Sequence, residues 1–129
     1  MGSESARTGL MQITPMLPVK SIARSIEFYQ KLGFSVERRN DDWGWAMLAS
    51  GDCRIMVDQS INRHSFGGRN FVLYLYPEDI TAYHSEVRQA GISVPDLETT
   101  FYGLIEFRLD DPDGNRLWIG QTSKQDTDL

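Results

Sequence analysis

Gly33-Phe34-Ser35-Val36 recurs 58 residues later as Gly91-Ile92-Ser93-Val94, and a helical pattern precedes each copy. Apolar residues upstream of the first copy fall at i, i+4 and i+7, which places on one side of a helix Ile22, Ile26 and Tyr29. Upstream of the second copy, a similar stripe at i, i+3, i+7 and i+10 is formed by Ile80, Tyr83, Val87 and Ala90. The repeat therefore predicts two amphipathic helices.

The ends of both helices are also marked. Ser21 and Asp79, again 58 residues apart, have side chains that accept hydrogen bonds from the free N–H groups at the start of a helix. Gly33 and Gly91 can adopt the left-handed conformation that commonly terminates a helix. We expect helices at 21–32 and 79–90.

A second match lies downstream at a different offset. The segment from Arg54 to Gln59 corresponds to the segment from Arg116 to Gln121, 62 residues later, so the second copy is longer by four residues before its last strand. A strand-like stretch and a turn precede each of these segments: 43–49 and 50–52 in the first copy, 104–110 and 112–114 in the second. With first strands at about 12–18 and 71–76, each copy contains a strand, a helix and three strands. This order predicts a duplicated βαβββ module.

Length and composition indicate one globular domain. The chain has 129 residues, of which 40% are hydrophobic and 24% are charged. We expect a small polar tail at 1–10 and a single domain at 11–122, with modules at about 11–60 and 70–122. A second tail is expected at 123–129.

Charge and cysteine content argue against several classes of partner. Thirteen basic and 18 acidic residues give a formal net charge of −5, which disfavours nucleic acid and favours a cationic ligand. No apolar run approaches the ~18 residues of a membrane helix, so no membrane partner is expected. Cys53 is the only cysteine, so no internal disulfide and no thiolate metal site can form. We expect Cys53 to be a packing residue and the protein to be cytoplasmic.

Two motifs carry a resemblance to a known superfamily. One is Leu17-Pro18-Val19 leading into Ser25-Ile26-Glu27-Phe28-Tyr29 and Leu32-Gly33-Phe34, and the other is Asp111-Pro112-Asp113-Gly114-Asn115 before the last strand. Together with the duplication, they resemble the vicinal oxygen chelate superfamily, which includes glyoxalase I, extradiol dioxygenases, fosfomycin-resistance enzymes and bleomycin-resistance proteins. The resemblance covers about 11–121. It implies an α+β fold whose strands curl into a cup, with helices outside, a small-molecule ligand inside, and a homodimer.

In such a cup, strand alternation separates core residues from residues that face the ligand. The residues expected to pack outward are Ile13, Pro15, Leu17, Ile55, Val57, Leu117 and Ile119. The residues expected to line the cup are Thr14, Met16, Val72, Tyr74 and Tyr76 from the first strands and Arg54, Met56, Asp58, Arg116 and Trp118 from the last strands.

The resemblance also implies where a metal would bind. Metal-dependent members take one ligand from each first strand and one from each last strand, usually His, Gln or Glu. The corresponding positions here are Thr14, Met56, Val72 and Trp118. Because these side chains are poor ligands, we expect neither a metal nor another cofactor. Of the two histidines, His64 is expected in a loop and His84 in a structural or surface position.

A metal-free cup rich in aromatic side chains resembles the bleomycin-resistance branch, whose members sequester a large, cationic and partly planar drug. We expect three or four of the eight candidate wall residues to contact ligand, the alternative being that most of them belong to the core. The eight are Trp43, Trp45, Phe66, Tyr74, Tyr76, Phe101, Tyr102 and Trp118. The predicted ligand-binding residues, which include two carboxylates, are Met16, Trp43, Trp45, Met56, Asp58, Tyr74, Tyr102, Glu106 and Trp118.

Two alternatives remain open. A metal-free lyase, isomerase or glyoxalase-related enzyme would use Glu106 as its acid or base, and Arg108 would orient an anionic substrate. If both side chains face inward, Arg108 would instead pair with a carboxylate. The other alternative is a non-catalytic member of the superfamily with a different role. No spacing of a nucleophile and a base supports an enzyme, so binding and sequestration are favoured.

Overall fold

The computed structural model describes residues 9–60 and 72–122, which form two successive βαβββ modules. The first module contains β1 (Met16–Pro18), α1 (Ile22–Lys31), β2 (Ser35–Asn40), β3 (Trp45–Ser50) and β4 (Cys53–Asp58). The second contains β5 (Val72–Leu75), α2 (Ile80–Gln89), β6 (Glu98–Thr99), β7 (Leu104–Asp110) and β8 (Arg116–Thr122). The predicted α+β duplication is confirmed. The predicted tails fall almost wholly outside the described residues.

Each module builds one four-stranded mixed sheet, in the orders β1-β4-β3-β2 and β5-β8-β7-β6. The first strand of a module runs parallel to its last strand, and the other neighbours are antiparallel. Met16 lies opposite Met56, and Tyr74 lies opposite Trp118. These equivalent pairs show that the two sheets share one register.

The helices begin and end where the sequence predicts. The Ser21 side chain accepts from the N–H of Arg24, and the Asp79 side chain accepts from the first turn of α2. Gly33 and Gly91 follow the helices with φ values of 102° and 100°. Within the described ranges, neither helix is long and apolar enough to cross a membrane.

The core lies between the helices and one face of each sheet. Alternate residues of β4 and β8 are buried there as predicted: Ile55, Val57, Leu117 and Ile119. Two predictions are wrong. Ile13 is 78% exposed, because β1 begins only at Met16. Cys53 is exposed at the start of β4 rather than packed.

Hydrogen bonds join the two modules on their helical side. The Tyr83 hydroxyl of α2 donates to the carbonyl oxygen of Leu32 at 2.6 Å, just after α1. The side-chain amide of Asn115 donates to the carbonyl oxygen of Pro18 at 3.3 Å. These contacts leave the opposite faces of both sheets available to form a site.

Candidate functional site

The nine predicted ligand-binding residues fall into two groups, one on each sheet. Both groups lie on the sheet face opposite the helices. Five residues belong to the first module and four to the second: Met16, Trp43, Trp45, Met56 and Asp58, and then Tyr74, Tyr102, Glu106 and Trp118. Within one chain, the structure therefore does not bring all nine into one cavity.

The first cleft has a volume of about 570 Å³ and contains all five predicted residues of its module, together with Arg38 and Ser60. Trp43 is 71% exposed and Met16 is 41% exposed. The indole N–H of Trp45 donates to the sulfur of Met56 at 3.1 Å, and the Arg38 guanidinium lies 5.7 Å from the Trp45 ring. The floor of this cleft is thus a flat aromatic surface next to flexible thioethers, which can adapt to an apolar ligand.

One row of side chains shows how the two modules differ. In the first sheet, Met56 lies between Met16 and Met47 on the neighbouring strands. In the second sheet, Trp118 occupies the same middle position, between Tyr74 and Arg108. The duplicated fold therefore accepts either a neutral, flexible row or a row of two aromatics and a cation.

Glu106 is the centre of the second group. Its side chain is only 3% exposed, and three donors surround its carboxylate. The Tyr74 hydroxyl donates to Oε1 at 2.5 Å, the Tyr102 hydroxyl lies 3.3 Å from Oε1, and the Arg108 Nε donates to Oε2 at 2.9 Å. These donors satisfy both oxygens of the buried carboxylate.

Tyr74 is held as a hydrogen-bond donor in this group. Desolvation and the hydrogen bond to Glu106 raise the pKa of the Tyr74 hydroxyl above its ordinary value. The Tyr74 ring also stacks on Tyr76, with ring centroids 5.1 Å apart, and meets Trp118 edge-on at 6.0 Å. The result is a connected aromatic surface beside a buried negative charge.

Arg108 connects Glu106 to Trp118. Its guanidinium carbon lies 3.6 Å from the centre of the Trp118 ring, and Nη2 lies 2.8 Å from Glu106 Oε2. The sequence predicted that Arg108 would pair with a carboxylate if both side chains faced inward, and they do. Its position over the indole could not be predicted, because that position depends on the register of β7 against β8.

Gly120 is a further site residue that sequence reasoning missed. It lies opposite Glu106 in the β7–β8 ladder. A Cβ atom at Gly120 would lie 3.1 Å from Tyr74 Cε1 and 3.3 Å from its hydroxyl oxygen. The absent side chain makes room for Tyr74 to cross the strand and reach Glu106. The sequence did contain a signal for Gly120. In the match of segment 116–121 with segment 54–59, Gly120 stands at the position that Asp58 occupies in the first copy.

A second cleft, of about 470 Å³, opens beside β6 and β7. Its lining includes two residues of the loop before β7 and two residues of β7: Phe101, Tyr102, Glu106 and Arg108. Phe101 is 97% exposed and Tyr102 is 49% exposed. This cleft presents aromatic surface and a charged pair to the same space.

The alternative, that most of the candidate aromatics belong to the core, does not hold for the seven that the structure describes. None of them is buried, and Phe66 lies outside the described residues. The aromatic side chains of the core are instead Tyr29, Phe34 and Phe107. His84 is structural, since its Nε2 lies 2.8 Å from the Pro95 carbonyl oxygen and its ring meets Phe107 edge-on. His64 lies outside the described residues.

The positions predicted to correspond to metal ligands on the two first strands must each be moved by two residues. Thr14 precedes β1, and Val72 lies opposite Arg116. The residues beside Met56 and Trp118 are Met16 and Tyr74. In the part of the chain that the structure describes, no three His, Cys, Asp or Glu side chains form a group that could hold a metal ion.

Comparisons with known proteins agree with the duplicated fold. The model of the Glyoxalase/Bleomycin resistance protein/Dioxygenase superfamily matches residues 10–119. A bleomycin resistance determinant encoded on the transposon Tn5 is similar in structure, with a TM-score of 0.74, 24% identity, and coverage of 89% of this chain and 100% of that one. A bleomycin-binding protein complexed with bleomycin has a TM-score of 0.73, 25% identity, and coverage of 88% and 99%. A virulence protein from Salmonella typhimurium has a TM-score of 0.64, 28% identity, and coverage of 89% and 99%. No match is found among curated protein sequences.

Proposed function

Since the chain belongs to the Glyoxalase/Bleomycin resistance protein/Dioxygenase superfamily, we propose that it binds and sequesters an aromatic, neutral-to-cationic small molecule, without a metal or cofactor. The observation that carries this proposal is the accessibility of the aromatic residues on the faces opposite the helices. In a small domain, aromatic side chains are normally core residues or isolated on the surface. Here Trp43 and Trp45 line the first cleft together with Asp58, and Phe101 and Tyr102 line the second together with Glu106.

The bleomycin-binding protein supports this class of ligand. That protein has the same fold and is 25% identical over nearly the whole chain. Bleomycin is therefore a reasonable first probe for this chain. The net charge of −5 adds long-range attraction for a cation, which salt would screen.

The contacts of Glu106 favour binding over acid–base catalysis. Its carboxylate accepts hydrogen bonds from Tyr74, Tyr102 and Arg108. A general base needs an oxygen that can reach the proton of a substrate. Because two tyrosine hydroxyls hold the carboxylate and a cation pairs with it, Glu106 is suited to fixing charge and orientation in the site.

We include a cytoplasmic homodimer in the proposal. Each cleft is lined by one module only, and it opens to solvent in the single chain. Large apolar side chains surround the clefts or precede β1, including Met11 at 95% exposure and Ile13 at 78%. A second copy would cover these residues and complete the clefts, as twofold assemblies commonly do. A sedimentation mass of one chain, 14.7 kDa, at high micromolar concentration would contradict the dimer.

The proposed function is tested by titrating the protein with metal-free bleomycin by calorimetry, beside an anionic glutathione adduct of similar size. We expect saturable bleomycin binding that weakens with added salt. Trp118→Ala and Trp45→Ala, measured as folded proteins, should each weaken it by about 1–3 kcal/mol. Phe28→Leu, outside both clefts, is the control and should bind like the parent. Preference for the anionic adduct would overturn the proposal.

A further inference from the structure

We propose that Arg108 occupies a subsite for planar cations, formed by the indole face of Trp118 and the carboxylate of Glu106, and that a ligand guanidinium or amidinium displaces it. This inference rests on the proposed function. It assigns a location and a shape to the cationic part of the ligand.

The arrangement around Arg108 has the geometry by which proteins recognise flat cations. The guanidinium carbon lies 3.6 Å from the Trp118 ring centre, while Nε and Nη2 lie 2.9 and 2.8 Å from Glu106 Oε2. Stacking on an indole and charge-assisted hydrogen bonds to a carboxylate both favour a planar, delocalised cation over a compact ammonium. A ligand group of the same shape can make the same contacts.

The subsite does not depend on Arg108 for its construction. The Arg108 side chain is 47% exposed, whereas Glu106 is 3% exposed. If the guanidinium leaves, Glu106 keeps its hydrogen bonds from Tyr74 and Tyr102. The residue equivalent to Arg108 in the first sheet is Met47, so the fold has no general need for a cation at this position. Arg108 can therefore move while the rest of the subsite stays in place.

Displacement of Arg108 would also enlarge the second cleft. Arg108 lines that cleft and, at the same time, covers the Trp118 ring. When its guanidinium swings outward, the indole face becomes accessible from the cleft of about 470 Å³. The exposed rings of Phe101 and Tyr102 lie on the same cleft and suit the aromatic remainder of such a ligand. The expected ligand class is thus an aromatic compound that carries a guanidinium or amidinium group.

The test compares benzamidine with benzamide, its neutral counterpart of nearly equal shape. Both are titrated into the parent protein and into Arg108→Met, which copies the equivalent residue of the first module, with the indole N–H resonance of Trp118 as the signal. We expect Arg108→Met to bind benzamidine at least about tenfold more tightly than the parent, because the resident cation no longer competes. Benzamide affinity should be the same in both proteins. The gain should vanish in Glu106→Gln/Arg108→Met.

Equal affinity of the parent and Arg108→Met for benzamidine would overturn the proposal, since Arg108 would then be a fixed part of the scaffold. An equal gain for benzamide would overturn it too, because only space would have been created. If Arg108→Met does not fold, Arg108→Gln, which also removes the resident cation, replaces it, and the same comparison of the two compounds decides. Bleomycin is titrated in parallel with the parent. A benzamidine gain in a protein that prefers the anionic glutathione adduct to bleomycin supports the subsite and contradicts the proposed function, whereas preference for bleomycin without a benzamidine gain contradicts only the subsite.

Discussion

The Tyr29 hydroxyl donates to Asp111 Oδ2 at 2.7 Å and thereby joins the helix of the first module to the last hairpin of the second. Tyr29 is 1% exposed and Asp111 is 4% exposed. Asp111 also accepts from the N–H groups of Asp113 and Asn115 and from the Asn115 side-chain amide. The two motifs that indicated the superfamily therefore contact each other. Their role is to hold the modules together, and neither Tyr29 nor Asp111 lines a cleft.

Tyr29→Phe should lower the free energy of unfolding by about 1.5–3 kcal/mol, because a buried carboxylate loses one of its donors. Urea unfolding at neutral pH measures the change. Tyr76→Phe is the matched control, since Tyr76 is 70% exposed, and it should be neutral. Ligand affinity of folded Tyr29→Phe should equal that of the parent. A variant as stable as the parent would show that the hydrogen bond contributes nothing to the joining of the modules.

The glutamines at 59 and 121 have a repeated role in capping the helices. Gln59 Oε1 accepts from the N–H of Ile22 at 2.9 Å, and Gln121 Oε1 accepts from the N–H of Ile80 at 2.7 Å. Gln59 follows β4 and Gln121 is the next-to-last residue of β8, and each holds the start of its own module's helix. The bond satisfies an N–H group that has no partner within the helix.

Gln59→Ala and Gln121→Ala should each cost about 0.5–2 kcal/mol of stability, in the range of lost helix caps. The two losses should add in the double variant, since the two bonds lie in different modules and share no partner. Denaturant unfolding measures both. Gln30→Ala, at an exposed position of α1, is the control. Losses no larger than that of the control would contradict the capping role.

Local signals in the sequence were sufficient for the helices, the hairpin turns and the duplication, because caps, stripes and turn residues act over a few neighbouring positions. The short β1 was overestimated, since only pairing with β4 defines where it begins. Gly120 was not predicted as a site residue, and the stacking of Arg108 on Trp118 was not predicted either. Their roles depend on cross-strand register and on the path of Tyr74, neither of which is encoded locally. The division of the site between two clefts is likewise a tertiary property.

Stability at alkaline pH should depend on Tyr83. Burial raises the pKa of the Tyr83 hydroxyl from 10.0 to about 12, and this hydroxyl donates to the Leu32 carbonyl. Because the folded pKa lies above the unfolded one, the contribution of Tyr83 is complete below pH 10 and is lost as the pH rises towards 12. Tyr83→Phe should therefore be less stable than the parent by about 1 kcal/mol at pH 8, and the difference should shrink between pH 10 and 11.5.

Urea unfolding at pH 8, 10 and 11.5 tests the dependence on Tyr83. Tyr76→Phe serves again as the exposed control, and its difference from the parent should stay the same at all three values. If the stability difference between the parent and Tyr83→Phe stays constant with pH, ionisation of this hydroxyl is not coupled to folding between pH 8 and 11.5.

Gly120→Ala tests whether the space beside Glu106 is a requirement of the site. The added methyl group would lie 3.1 Å from Tyr74 Cε1 and 3.5 Å from Glu106 Cβ, so the Tyr74 ring must move by a few tenths of an ångström. Since the Tyr74 hydroxyl donates to Glu106 at 2.5 Å, this movement weakens the bond that holds the carboxylate. We expect a stability loss of about 1–3 kcal/mol, as for other overpacked sites.

In Tyr74→Leu, where the ring is absent, the same Gly120→Ala change should cost clearly less, so the double-mutant cycle should give a coupling energy of at least about 0.5 kcal/mol. If the effects of the two changes on stability are strictly additive, glycine is needed at position 120 because of the β8 backbone and not because of the Tyr74 ring.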